Sequence, residues 1–423
     1  AGMFSALGDG YYNAVYIATA ISAVFGTLLI GLLANLPLAQ ASGMGLNAFF
    51  VFSVCIGMNF TYANALVMVL VDGIVFLILT VTGLRRVIFD AIPKAVKAAI
   101  APGIGLFIAF LGLQNSDIVV NSDSTLVDLH SFNLMFGHTT WAEIMPLLVT
   151  IFAIIAIAAM AKKKVKGAVF WGIIGGAVAY YALGLITIEN FYAEHVQGSL
   201  SLNIIQPFRD FISLSFGRVF TEGFDFSVFA AEHGVANLVL TIVTTALAFC
   251  MVDMFDTIGT LYGACARGNM LTEEGEVPRM NRAMLADAIA TTTGAICGTS
   301  TVTTFVESSA GVAEGGRTGL SSMFTAVFFF IAMFLSPIAQ LIPGCATAAA
   351  LVYVGVLMMG CVKEIDWHSA DIAVPAFLTM ALMPFAYNIS YGIAFGLISY
   401  VVIKLFTGKV KEIKAGTWVI TLL

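Results

Sequence analysis

The sequence predicts an all-α polytopic membrane protein built from two inverted repeats, each carrying one broken helix flanked by short antiparallel strands. Three observations point there. Of 423 residues, 60% are hydrophobic and only 10% are charged, whereas a soluble surface needs about 25% charged residues. Apolar runs near the roughly 20 residues that a bilayer requires recur along the chain. Two further runs are too short to cross and sit at matching places in the two halves. This composition excludes soluble enzymes, nucleic-acid binders and disordered scaffolds. The six cysteines form no CxxC pair and no Cys/His cluster, so they read as small apolar fillers. Neither a metal nor a cofactor is expected.

Thirteen segments are predicted, at 11–34, 45–59, 61–83, 91–112, 142–161, 166–187, 235–262, 280–299, 303–314, 318–340, 344–362, 370–386 and 389–406. The short ones, 45–59 and 303–314, follow extended stretches at Leu36–Gln40 and Thr299–Thr304. Both are rich in Gly, Ser, Thr or Asn. Irregular backbone is tolerated at membrane depth only where protein encloses it, so each is read as a broken helix lining a cavity.

If each short segment counts with its lead-in as one crossing, 17 of the 19 Lys and Arg fall on one side, from Arg85 and Arg86 to Lys414. Only Arg209 and Arg218 fall on the other. The basic side is then cytoplasmic and holds the C-terminus, in the plasma (cell inner) membrane. The same count puts Ala1 outside, so a leading span is expected to be missing and the parent to have fourteen. The broken segments Pro37–Asn59 and Gly298–Gly315, and the Ile-Pro helices Ile92–Gly112 and Ile342–Gly360, then occupy matching places in two repeats of seven. An odd repeat inverts its partner, which is the architecture of secondary transporters. The alternative is that such segments only permit tight helix packing. The stretch Pro207–Phe229, mixing Phe with charges, reads as an interfacial link between the halves.

Charge inside a span costs roughly 2.5–3.5 kcal/mol, so exceptions are informative. Asp253, Asp256 and Thr260 are spaced to share one helix face. Two carboxylates there cannot both ionise cheaply, and the pair is read as a proton-coupling device; a structural role is the alternative. Glu307 sits near the start of the second half-helix, where backbone N–H groups favour an acceptor. Its carboxylate suits the paired N–H edge of a nucleobase, or else merely caps the helix. Ser308 lies beside it. Asn47, at the start of the first half-helix, can donate and accept to a base edge. Phe49 and Phe50 offer a stacking face, and packing is the default reading for both. Asp72 reads as a structural buried acid.

Together GMGLNAFF, VDMFDTIGTLYG, TTFVESSAGVAEGGRTGL and the Ile-Pro helices resemble the AzgA-type hypoxanthine/guanine/adenine permeases of the nucleobase–ascorbate (nucleobase–cation symporter 2) family, along nearly the whole chain. The resemblance implies a UraA-like fold of 7+7 segments with a core domain (1–90 and 235–341), a gate domain (91–190 and 342–408), a linker at 191–234 and a tail at 409–423. It further implies proton-coupled purine symport and homodimers through the gate. Carried over by motif, the acids of the eighth and tenth segments are Asp256 and Glu307. The polar residue of the third is Asn47, and Asp253 belongs to the VDMFD run.

The expected cycle is alternating access. A neutral purine lies between the half-helix starts, bound by Glu307, Asp256 and Asn47, with Thr260, Ser308 and Phe49 as further contacts. A coupling proton is held within the Asp253/Asp256 pair. The partners are therefore purine nucleobase, proton and lipid bilayer, with no nucleic acid. The runner-up is an anion transporter of the same fold, of the sulfate-transporter type, against which an acid at position 307 speaks. A channel would need a continuous polar pore, and an intramembrane enzyme a catalytic constellation that the spans lack.

Overall fold

The computed structural model describes residues 2–83, 92–133, 139–192, 203–305, 307–336 and 341–422. Arg85 and Arg86, part of the 191–234 linker, and residues 337–340 of the predicted 318–340 span lie outside the described residues.

The helices follow the predicted spans closely. They are α1 (Tyr11–Leu29, continued by wider π-type turns to Ala34), α2 (Met44–Ala48, continued likewise to Gly57), α3 (Tyr62–Val81), α4 (Lys94–Asn115), α5 (Trp141–Lys162), α6 (Ala168–Thr187) and α7 (Val235–Arg267). The second half adds α8 (Met280–Cys297), α9 (Ser308–Ala313), α10 (Gly319–Met333), α11 (Gly344–Met358), α12 (Ala370–Phe385) and α13 (Ile389–Phe406). Local chemistry sets several ends. Thr61 and Asn64 form a reciprocal capping box at the start of α3, and Thr140 and Glu143 do so at α5, each satisfying two N–H groups that the first turn leaves unpaired. Gly298 ends α8 at φ 96° with its α-carbon pressed against Ser215 and Tyr62, a conformation and a space that only glycine fits.

Two small antiparallel sheets accompany the helices. β1 (Gln40–Ser42) pairs with β4 (Val302–Thr304) in the register Gln40–Thr304, Ala41–Thr303, Ser42–Val302. The extended lead-ins thus exist, shifted a few residues toward their half-helices. The second broken segment differs from the predicted 303–314: its first residues are strand, and its helix is only Ser308–Ala313. β2 (Val119–Ser122) and β3 (Leu126–Leu129) form a hairpin after α4 that the hydropathy reading left without structure.

The β1–β4 pair is buried, so its outward-facing backbone groups have no water to turn to. A threonine serves each strand. Thr27 of α1 accepts from Gln40 N–H (2.9 Å) and donates to Gln40 C=O (3.1 Å). Thr291 of α8 accepts from Val302 N–H (3.3 Å) and donates to Val302 C=O (3.0 Å). Ser322 of α10 bonds the carbonyls of Leu36 and Leu38 on the approach to β1.

Packing divides the helices into two groups. α1, α7 and α8 contact the β1–β4 pair, with α3 and α10 packed on them, while α4, α5, α6, α11, α12 and α13 pack on one another. The groups meet where α7 lies along α4 and α13, across a shared apolar cluster that includes Ile100, Ile104, Met254, Ile258 and Met358. Large apolar side chains such as Phe152, Phe170, Phe328, Phe377 and Phe395 are exposed on the outside, which suits a surface solvated by lipid. Among the described residues, six helices are long and apolar enough to span a bilayer. The linker helix Ile205–Asp210 and the turns to Ser215 lie against α1. Ser215 donates to the Cys297 carbonyl (3.0 Å), and Asp210 accepts from Asn13 (2.9 Å).

At the far end of α12 and α13 is an ion network. Lys404, its side chain 6% exposed, donates to Asp371 (2.7 Å) and to Glu412 (2.6 Å), and Lys409 also reaches Asp371 (3.0 Å). This ties the segment after α13 back to α12. Removing one partner of a buried pair strands the other charge and costs about 3–5 kcal/mol. Because Lys409 stays with Asp371, K404M should lie near 3 kcal/mol, read as a lowered thermal-unfolding midpoint in detergent. The double variant K404M/D371N should recover part of that loss, and strictly additive losses would refute the coupling.

Candidate functional site

A cavity lies where the two helix groups meet. One wall comes from the broken segments and α7: Gly43, Leu46 and Phe49 of the first segment, Thr303, Thr304, Phe305 and Glu307 of the second, with Val252 and Asp256. The opposite wall is Ile104, Phe107, Ile108 and Leu111 of α4, with Tyr387 and Asn388 before α13. β1 and β4 run antiparallel and are three residues long, so the chain leaves them at opposite ends of one short pair, and Gly43 and Glu307 reach the same cavity from either end of it.

The charged groups are both acids. Asp256 lies alongside Gly43: a Cβ there would stand 3.6 Å from its Oδ2 and 3.2 Å from Thr303 Oγ1. Asp256 Oδ1 is buried with no hydrogen-bond partner. Glu307 is close enough to act on Asp256 electrostatically. It occupies the N-cap position of α9, but its side chain makes no capping bond, so capping does not explain it. No Lys or Arg lines the cavity among the described residues. The remaining wall is mostly apolar and aromatic, with Thr303, Thr304 and Asn388 as its neutral polar residues. Phe107 and Tyr387 meet edge to face with centroids 5.5 Å apart, and Phe49 packs edge-on against Phe249 at 4.9 Å.

The predicted site residues divide accordingly. Asp256, Glu307 and Phe49 come together at the cavity. Asn47 does not line it: its Oδ1 accepts from Ser300 (2.5 Å) and its Nδ2 donates to Ser42 (3.4 Å), which locks the first half-helix to the approach to β4. Ser308 accepts from the Ala39 N–H (2.9 Å) and joins the two broken segments in the opposite sense. Thr260, one turn beyond Asp256, is fully buried off the cavity. Asp253 is also fully buried, and its Oδ2 lies 3.2 Å from the Thr291 hydroxyl, which shares its one proton between this carboxylate and the Val302 carbonyl. Asp253 thus contacts the strand support. Phe50 is buried among Phe4 and Tyr62, and Asp72 is fully buried in α3.

Several residues escaped the sequence reading. Asp287 of α8 is fully buried and accepts from Thr257 (2.8 Å), from Gln40 Nε2 (3.1 Å) and from Thr304 (3.5 Å). It joins α7 to both strands directly behind the cavity wall. The rule that singled out Asp253, an acid inside an apolar span, would have found it. Phe107, Phe305 and Tyr387 carried no signal, since an aromatic residue in a span is ordinarily packing or lipid contact.

Comparison with known proteins bears on the family and the fold. A family described as "Permease family" matches residues 5–395. The guanine/hypoxanthine permease PbuG of Bacillus subtilis is 38% identical over 401 residues, 95% of this chain and 83% of its own. The adenine permease AdeP of Escherichia coli is 34% identical over 411 residues, 97% of this chain and 84% of its own. Among solved structures, the transmembrane domain of the cyanobacterial bicarbonate transporter BicA superposes with a TM-score of 0.52 at 16% identity, covering 90% of this chain and 95% of that one. That likeness speaks to the fold alone. With the family match running through both broken segments and relatives aligned almost end to end, the chain belongs to the permease family, alongside the guanine/hypoxanthine and adenine permeases.

Proposed function

We propose that the chain imports purine nucleobases by proton symport, with alternating access between a core domain (1–90 and 235–341) and a gate domain (91–190 and 342–408). The observation that carries this reading is the pair of carboxylates, Asp256 and Glu307, facing one largely apolar cavity at the meeting of the two helix groups. A purine is flat, uncharged and apolar on its faces, with N–H donors at its edge. Aromatic walls suit the faces. Carboxylates suit the donors, since hydrogen bonds to charged groups contribute about 1.5–3 kcal/mol each. The relatives named for guanine, hypoxanthine and adenine support the same cargo.

The carboxylates also supply a rationale for coupling. An empty site with two negative charges is costly to carry through the low-dielectric middle of the membrane. A proton on one of them reduces that cost while the bound base satisfies the other. Asp256, with an unpartnered buried oxygen beside Glu307, is the assigned proton carrier. Asp253, engaged by Thr291, is assigned to holding the strands. Asn47, Ser308 and Asp287 are assigned to positioning the broken segments. An anionic cargo is disfavoured because the charge lining the cavity is negative. The basic Lys162–Lys166 loop and the basic C-terminal segment support a cytoplasmic position for that face, in the plasma membrane.

In cells expressing the protein, uptake of labelled hypoxanthine should fall as external pH rises, because the proton is a co-substrate on that side. E307Q should cut uptake by roughly ten- to a hundredfold, the loss of one charged hydrogen bond, with the protein still monodisperse. D256N mimics the protonated acid, so residual uptake or exchange should lose its pH dependence; an unchanged pH profile in D256N would refute the assignment of the proton. Guanine should compete with hypoxanthine and sulfate should not, and competition by sulfate would favour the anion reading.

Asn47 makes a contrasting case. If its amide serves the scaffold, N47A should lower the unfolding midpoint and uptake together, whereas E307Q should lower uptake with the midpoint kept. An N47A protein of normal stability whose apparent affinity alone is changed would return Asn47 to direct substrate contact.

A further inference from the structure

One face of α7 passes through three different surroundings. Val252 and Asp256 line the carboxylate cavity, and Arg267 at the helix end lines a second one. Between them come Gly259 and Gly263. These five positions are spaced four, three, four and four apart, which keeps them on one stripe of the helix. α4 mirrors the order from the other side: Ile108 and Ile104 face the first cavity, and Ile100 and Ala101 come next toward Lys94.

The second cavity lies between Lys164, Arg267, Glu314 and Tyr353. Ala310 and Ala313 of α9 form part of its wall. Glu307 stands at the start of α9 in the first cavity, so the same short helix separates the two spaces.

Between the cavities α7 and α4 are in contact. A Cβ on Gly259 would stand 2.5 Å from Ile100 Cγ2 and 2.9 Å from Ile104 Cδ1. On Gly263 it would stand 3.1 Å from Ala101 Cβ and 3.3 Å from Met358 Cε. Only glycine permits this approach at position 259. The contact is one helical turn deep, about 6 Å along the axis, and it lies between α7, from the group around the strands, and α4 and α11, from the other group.

We propose that the Gly259/Gly263 contact with Ile100, Ala101 and Met358 is the barrier closing the carboxylate cavity on its Lys164 side, and that the Lys164/Arg267/Glu314 cavity is the vestibule through which cargo leaves once that contact parts. This rests on the reading of the first cavity as the binding site of a carrier. The barrier is thin and the side chains that meet at the two glycines are apolar, so a small sliding of one helix group against the other opens it. The charged and aromatic vestibule then hydrates the route beyond.

The test is side-specific labelling with a charged, membrane-impermeant thiol reagent, in right-side-out and inverted vesicles holding the full chain, with the wild type measured in parallel as the blank. A313C, in the vestibule, should react from the Lys164 side. V252C, in the carboxylate cavity, should react chiefly from the side of the β2–β3 hairpin. Adding G259V wedges the contact and should raise V252C labelling from the Lys164 side roughly tenfold. I100A trims the opposite wall and should act in the same direction, which covers the case in which G259V does not fold. If A313C is inert from the Lys164 side, or if V252C labelling is unmoved by I100A in monodisperse protein, the proposal is overturned. No substrate is needed for this readout. Absent purine uptake alongside the expected labelling would therefore count against the cargo and leave the barrier standing.

Discussion

Backbone N–H and C=O groups inside a bilayer must find partners within the protein, and the centre of this molecule is arranged around that demand. Two chain segments give up helical bonding midway through the membrane. Each recovers half of what it lost from the other, through the β1–β4 ladder. The other half comes from a threonine on a neighbouring helix: Thr27 brackets Gln40, and Thr291 brackets Val302. α1 and α8 each precede a broken segment in their respective halves, so the two threonines do the same work at equivalent places. An unmet group here would cost several kcal/mol, and the irregular backbone would not persist without this support.

That support consumes most of the polar side chains nearby. Asn47 is committed to Ser300 and Ser42, Ser308 to Ala39, and Thr291 to Val302 and Asp253. Asp287 gathers Gln40, Thr257 and Thr304 behind the wall. What faces the cavity is mostly aromatic and aliphatic, with Thr303, Thr304 and Asn388, Asp256 with an oxygen that no group among the described residues satisfies, and Glu307, which does not cap its own helix. A site of this kind is specific because much of the polar chemistry around it is already committed. An incoming molecule finds few polar partners, and those few are fixed in place.

The same geometry makes the site one that can change hands. Its two walls belong to helix groups that each pack mainly internally. Where they touch below the cavity, the contact is small and apolar. Among the described residues, the hydrogen bonds that fasten the broken segments run within one group, so motion between the groups leaves the strand pair and the carboxylates in register.

Much of this was legible in the residues. Apolar runs, the scarcity of charge and the Gly/Ser/Thr interruptions near Pro37 and Gly298 follow from the bilayer's length and polarity, which act on each segment separately. So did the candidacy of Asp256 and Glu307, because a charge inside a span is costly wherever it lies. Tertiary structure alone decided which polar groups face the cavity and which face the scaffold. Asn47 and Ser300 are 253 positions apart, and Gln40 and Asp287 are 247. Local sequence holds no record of such pairings, since a hydrogen bond is fixed by where two side chains meet in space and not by their spacing along the chain. The aromatic wall was hidden for a related reason: in a membrane protein a phenylalanine facing lipid, core or ligand is the same residue, and only the packing of distant helices separates the three.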